Sequence, residues 1–439
     1  MVGNILQASS SKELQVSWPD RAALKLLAVS FAFPPLAYPR SIQVARLLKY
    51  INARTVLVCA DESRARKDPT LEPGVEGALE KCLRVPYSVS RPRRLANAVA
   101  HRFYPPLWER WNRVPDQYGV WKRAALKAVE GYMRATHYTP DVITTFSQPV
   151  VDHLVGVELK RRLGVPWVAH FSDPWTDHPF RNCGAKARAR NLDLEREVVG
   201  RADRLLFTSQ ESVDVIMSKY PAHWRSKARV LPQCFDPLLF PQRAEQNGHK
   251  LIVRYVGNFY ASRGPAPFVR VLQALLAADA PQLRDVSFEM IGVNRPDLIE
   301  NSGLKDLPAG LVSVRPPVGY RESLELMTAA DGLLIIDAPA DVSVFLPSKL
   351  IEYIGAGRPV FALTSEGAAA RVVRQLGGWV NDPAAESAAA ASLAEFLCFL
   401  RRRRQAGGGT PWGEPGVRAR YEATRIAKEF MQILRELLS

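Results

Sequence analysis

The chain has 439 residues, 47% of them hydrophobic and 23% charged, a balance that excludes wholesale disorder and leaves room for two domains. Its 59 basic against 44 acidic residues give a net charge of +15, a potential that favours anionic partners: nucleotides, acidic headgroups or nucleic acid. The five cysteines (Cys59, Cys82, Cys183, Cys234, Cys398) are far apart and show no ligand spacing, which argues against a disulfide framework and a zinc site and fits a reducing cytoplasm.

Residues 1–22 read as a polar extension without a signal-peptide or membrane-span pattern. LKLLAVSF (24–31) is an apolar run of strand length, followed by the turn PPLAYP and the helix-like SIQVARLLKYI. RTVLVCA, DVITTF, VPWVAHF and ADRLLFTS are further strands, with VVDHLVGVELKRRLG and QESVDVIMSKY as amphipathic helices between them. Short apolar strands alternating with helices mean a parallel sheet covered on both faces. Within this first domain, taken as 23–241, the segment 91–137 carries ten basic and three acidic residues interleaved with Phe103, Tyr104, Trp108, Trp111, Tyr118, Trp121 and Tyr132. That mixture suits an anionic bilayer surface, or else an insertion whose rings pack on the domain.

QRAEQNGHK (242–250) is nearly free of apolar residues and reads as the linker to a second domain, 242–400. There the alternation resumes: LIVRYVGNF, APFVRVLQALLAA, DVSFEMIG, RESLELMTAADGLLIID, PSKLIEYIGAGRPVFAL and EGAAARVVRQLGGWV. Two doubly wound α/β domains would face each other across a cleft, where such folds bind ligands. The tail, 401–439, begins with the last arginines of SAAAASLAEFLCFLRRRRQ, passes through AGGGTPWGEPG, and ends in a helix expected to return to the first domain.

In FLPSKLIEYIGAGRPVFAL, Pro347 is expected in the first turn of a helix whose free amides around Ser348 and Lys349 form an anion site. Glu352, one turn further, can accept both hydroxyls of a ribose; an ordinary helix start is the plain alternative. Arg263, in the loop that holds Gly257 and Gly264, can clamp phosphate oxygens or simply be solvated.

The order LLAVSFAFPP, DVITTFSQPVVDHLVGVELKRRLGVPWVAHFSDPW, ADRLLFTSQESVDVI, VLPQCFDPLLF, YVGNFYASRGP and PSKLIEYIGAGRPV resembles the family-4 glycosyltransferases over roughly residues 24–380, and within them the bacterial enzymes of surface-polysaccharide assembly. The resemblance implies the GT-B architecture and a retaining transfer of sugar from a nucleotide diphosphate sugar to a glycan or lipid-linked acceptor. It implies that Glu352 holds the ribose, that Arg263, Ser348 and Lys349 hold the diphosphate, and that Gly292 stands at a strand end near the base; Gly257 and Gly264 allow close backbone approach in the Arg263 loop. No cofactor, metal or nucleic acid is expected. His153 and Asp173, each after an apolar strand, are expected at the cleft as catalytic residues, with a core histidine and a turn aspartate as alternatives. The family's first glutamate is replaced by Val344, and Asp337 or Asp341 lies close enough in sequence to supply a carboxylate instead. The usual glycine-rich first loop here reads LAYPR. A sugar-nucleotide epimerase and a non-catalytic nucleotide-binding scaffold are the rival readings.

Overall fold

The structure is a computed structural model that describes residues 24–71, 74–179, 183–242, 249–259, 263–293, 295–337 and 343–439. The first sheet has seven parallel strands: β1 (Lys25–Val29), β2 (Arg54–Glu62), β3 (Lys81–Tyr87), β4 (Val142–Ser147), β5 (Trp167–Phe171), β6 (Arg204–Phe207) and β7 (Ala228–Val230), in the order β3-β2-β1-β4-β5-β6-β7. The second has six: β8 (Leu251–Val256), β9 (Val286–Ile291), β10 (Val312–Arg315), β11 (Gly332–Ile336), β12 (Val360–Leu363) and β13 (Trp379–Asn381), in the order β10-β9-β8-β11-β12-β13. Both are doubly wound, because the order reverses once in each, between β1 and β4 and between β8 and β11.

Helices cover both faces, so central strands are buried on both sides; β4 and β11 are buried at every position. On one face of the first sheet Leu27, Val29 and Val56 pack with Trp121 and Trp167. On the other, Leu26, Ala28 and Leu57 meet the helix Pro39–Tyr50 and the C-terminal helix Ala423–Glu436. That last helix crosses back from the second domain and buries Ile426, Phe430 and Leu434 in the first core, each worth about 1.5–3 kcal/mol. Phe235, on the outgoing strand, exchanges backbone hydrogen bonds with Tyr421 and Ala423 on the returning one, both 2.9 Å.

The helix Glu386–Gln405 runs through the 400/401 boundary and buries Leu393, Phe396 and Leu397 on the second sheet. Three of its four arginines reach backbone carbonyls, while Arg402 is exposed. Arg401 donates to Gln282 and Arg284, Arg403 to Thr410, and Arg404 to Lys250. The linker residues 243–248 lie outside the described residues.

Within 91–137 the aromatic residues divide. Trp121 is 1% exposed, and Tyr118 and Tyr132 pack against the same core, so these three follow the packing alternative. The helices Arg91–Phe103 and Pro105–Asn112 are joined by reciprocal amide hydrogen bonds between Asn97 and Asn112 (2.8 and 2.7 Å). They leave Leu95, Val99, Phe103, Tyr104 and Leu107 exposed.

Candidate functional site

In a doubly wound sheet the helices after neighbouring strands diverge at the reversal point, leaving a crevice at the carboxyl ends. Here the two crevices open onto one cavity of about 620 Å³. Phe31 follows β1, Gln148 follows β4, and Gly257 and Asn258 follow β8; all line it. A neighbouring cavity of about 260 Å³ shares Gly257, Ser348 and Lys349 and extends to Gly292 and Glu352. The structure therefore gathers Gly257, Gly292, Arg263, Ser348, Lys349, Glu352 and Asp173 around these two spaces.

The second-domain wall is the start of the helix Ser348–Ala356. Pro347 is its N-cap in extended conformation, one position earlier than the first-turn placement expected from sequence. The helix forms because Leu350, Ile351, Tyr353 and Ile354 make one buried face, and it stops at Gly357 in the left-handed region (φ 62°). The Tyr353 hydroxyl accepts from the Val256 amide at 2.9 Å, tying the helix to the end of β8. No acidic residue lies in the first turn and no side chain caps it, so its amides remain available for an anion.

Two glycines allow backbone to approach this helix. Gly257 has φ +145°, and a Cβ there would lie 3.1 Å from the Lys349 Cε and Nζ. Gly292 has φ +98°, and its Cβ would lie 3.1 Å from the Gly257 carbonyl. Both conformations disfavour side chains. Lys349 Nζ sits 3.8 Å from the Tyr255 ring centroid and donates to the phenol oxygen. Burial pulls its ammonium down to about 7, with Asp337 opposing and Arg263 adding to the fall.

Arg263 Nε lies 2.8 Å from Asp337 Oδ1, and its guanidinium lies 5.2 Å from the Phe345 ring centroid. Asp337 also accepts from Thr364 Oγ1 at 3.0 Å. It is 4% exposed and serves here as the anchor of Arg263. Asp341 lies outside the described residues, while the Val344 carbonyl accepts from the hydroxyls of Ser209 (3.0 Å) and Ser212 (3.3 Å) across the domains.

Glu352 does not stand open. Its Oε1 lies 3.0 Å from Arg46 Nη1, its Oε2 accepts from Arg46 Nη2 at 3.3 Å, and Tyr320 donates to Oε1 at 3.2 Å. Arg46 belongs to the helix Pro39–Tyr50 of the first domain, and its Nη1 also donates to the Cys234 carbonyl at 2.9 Å. Burial pushes the Glu352 carboxyl up, against the pull of Arg46.

On the first-domain wall Asp173 faces the larger cavity and accepts from Ser172 Oγ at 2.9 Å. His153 corrects the sequence expectation, because it is 0% exposed and lines neither cavity. It starts the helix Val151–Leu163 but turns onto the sheet, with Nδ1 2.7 Å from Thr145 Oγ1 and its ring 4.3 Å from that of Phe171. Burial pulls its imidazole down to about 3, so it stays neutral, as a core histidine does. Its neighbour Asp152 accepts from the Phe31 amide at 2.9 Å and holds the loop after β1.

Sequence reading missed Tyr38, Arg40, Gln43, Arg46, Asp116 and Tyr320, which line the same spaces. One signal was present. Arginine in the first turn of a helix opposes the macrodipole, and Arg40 follows the turn after β1 in just that position.

No family model matches the chain, and no curated protein matches its sequence. Solved structures do match. Anabaena Alr3699/HepE, in complex with UDP and glucose, aligns with a TM-score of 0.62 at 14% identity, over 94% of this chain and 100% of that one. Sucrose-phosphate synthase from Thermosynechococcus elongatus gives 0.63 at 16% identity, over 94% and 99%. The fold is GT-B. A Listeria monocytogenes protein named as a UDP-N-acetylglucosamine 2-epimerase shares the GT-B architecture, with a TM-score of 0.56 at 9% identity over 94% and 96%.

Proposed function

We propose that this protein is a retaining glycosyltransferase that moves a sugar from a nucleoside diphosphate sugar to a hydroxyl of a glycan or lipid-linked acceptor in polysaccharide synthesis. One observation carries the reading: both reversal points open onto one cavity walled by the uncapped start of the helix Ser348–Ala356, with Lys349 and Arg263 beside it and Glu352 one turn on. HepE in complex with UDP and glucose supports a nucleotide-sugar donor on this fold. In the transfer, the bond from the anomeric carbon to phosphate oxygen breaks with its electrons going to phosphate. The acceptor oxygen bonds to that carbon from the same face, and its proton passes to the departing phosphate. Lys349, Arg263 and the helix amides stabilise the charge that develops on phosphate, and Asp173 orients the acceptor hydroxyl. The resemblance in the order of segments supports retention and family 4. No cofactor or metal enters the scheme.

The test is thermal stabilisation by UDP, GDP, ADP and dTDP on the intact protein and on Glu352→Ala. Selective stabilisation by one nucleotide, lost in the variant, is expected; no stabilisation by any of them sinks the donor site. The second reading, an epimerase, is favoured by the Listeria likeness, and isomerised donor in an acceptor-free reaction would select it. Nucleotide binding without turnover on any acceptor would instead select the scaffold.

The working site of the enzyme in this reading is the cytoplasmic face of a membrane. Among the described residues no helix is long and apolar enough to cross one. Leu95, Val99 and Phe103 form an exposed i, i+4, i+8 stripe, with Tyr104 and Leu107 beside it and Arg91, Arg93, Arg102 and Arg110 exposed around it. Apolar side chains ringed by cations complement an anionic bilayer.

A further inference from the structure

Arg40 opens the helix Pro39–Tyr50 and lines the first-domain wall of the larger cavity. It is 6% exposed. Its Nη1 donates to Gln43 Oε1 at 2.9 Å, and its Nη2 lies 2.7 Å from His170 Nδ1 and donates to the His170 carbonyl at 3.1 Å. Burial holds the His170 imidazole neutral, so its Nδ1 acts as an acceptor toward Arg40. The Arg40 Nε has no hydrogen-bond partner among the described residues. The Phe146 ring centroid lies 5.6 Å from the guanidinium carbon.

What this cation lacks is an anion. Among the described residues no carboxylate forms an ion pair with Arg40, although Asp173 and Asp152 act on it through space. Loss of water pulls the guanidinium down to about 10, against the opposing pull of Asp173 and Asp152. A buried charge is ordinarily paired. The helix adds to the deficit, because its first turn carries no acid and no side-chain cap, so dipole and side chain are positive together. The opposite wall differs, since Arg263 has Asp337 within 2.8 Å.

We propose that Arg40, held by His170 and Gln43, together with the opening turn of its helix, binds a phosphate group at the first-domain wall of the cavity. The guanidinium matches a tetrahedral oxyanion through charge and directed N–H groups. The phosphate belongs either to the donor's diphosphate or to a phosphorylated acceptor; that choice of sources, though not the site, rests on the glycosyltransferase reading.

The experiment titrates inorganic phosphate into the intact protein, Arg40→Gln and Arg40→Lys at constant ionic strength set with chloride, with and without saturating UDP. Thermal stabilisation and calorimetry are the readouts. Saturable binding to the intact protein is expected, weakened about tenfold or more in Arg40→Gln and partly kept in Arg40→Lys, the scale of losing a hydrogen bond to a charged group. Phosphate binding that persists beside UDP assigns the site to a phosphorylated acceptor. Displacement by UDP, together with a tenfold weaker UDP affinity in Arg40→Gln, assigns it to the donor. Equal phosphate affinity in intact protein and a folded Arg40→Gln would overturn the proposal. So would displacement by UDP with UDP affinity unchanged in that variant. Absence of saturable phosphate binding to the intact protein would also overturn it, a result that needs no variant to fold. If UDP does not bind at all, the donor reading fails while the phosphate titration still tests Arg40.

Discussion

Replacing Glu352 by glutamine tests how the two domains are held. Arg46 is 1% exposed and Glu352 7%, so water replaces a lost partner only in part. In Glu352→Gln the guanidinium keeps the Cys234 carbonyl and the Tyr320 hydroxyl, both neutral, and one amide oxygen in place of a bidentate carboxylate. Breaking a buried pair from one side costs about 3–5 kcal/mol, and the remaining amide contact puts this variant near the lower end, about 3 kcal/mol. Arg46→Met leaves the carboxylate alone beside Tyr320. Because burial already pushes that carboxyl up, removing Arg46 raises it further. The isolated acid then neutralises as pH falls, so this variant is costlier at pH 8 than at pH 5. The double variant leaves no stranded charge and recovers most of the loss. Urea unfolding followed by tryptophan fluorescence and far-UV circular dichroism supplies the free energies, provided that the two signals coincide. A loss below about 1 kcal/mol for Glu352→Gln, or additivity of the two single changes, would refute the argument.

The other expectations follow from the same geometry. His153 and His170 are kept neutral by burial in the folded chain, so below about pH 6.5 the unfolded state binds protons that the native state refuses. Stability then falls with decreasing pH by about 1.4 kcal/mol per unit for each histidine. In His153→Gln the slope between pH 5 and 6.5 should be shallower by that amount, and an unchanged slope counts against the assignment. Lys349 titrates near 7 among Tyr255, Asp337 and Arg263, and a bound phosphate would raise it. UDP affinity is therefore expected to weaken above pH 7, by up to about tenfold per unit, and Lys349→Met should abolish that dependence in calorimetry. On anionic vesicles, Leu95→Ser with Phe103→Ser should lower the floating fraction severalfold and leave the melting temperature unchanged, since both side chains are exposed. Equal flotation would remove the membrane surface, as would no binding by the intact chain at low salt.

The two doubly wound sheets were legible because burial on both faces writes itself into local composition: VITTF, WVAHF, LLII and VFAL are strand-length apolar runs between amphipathic helices. The site's second-domain half was legible for a related reason. Pro347, Ser348, Lys349 and Glu352 lie within one turn and a half of helix, where sequence spacing equals spatial spacing. Gly257 and Gly292 stand at strand ends, where only backbone freedom explains them.

Everything that depended on two distant segments meeting was decided by tertiary structure. Arg46 and Glu352 are 306 positions apart, and Arg40 and His170 are 130 apart. No local pattern marks which arginine will face which acid. His153 shows the converse. Its place after an apolar strand suggested the cleft, but a helix beside a sheet has a buried face as well as an end, and the packing of the Thr145 hydroxyl and the Phe171 ring chose the buried one. The sequence by itself determined two series of parallel strands with covering helices and a helix start whose amides no acid or side chain occupies, because these follow from periodicity, chain order and local backbone chemistry. The tertiary structure alone decided the order of the strands and which charges inside the crevice stand beside an opposite charge, because charge balance in a buried space is set by neighbours that sequence separation does not reveal.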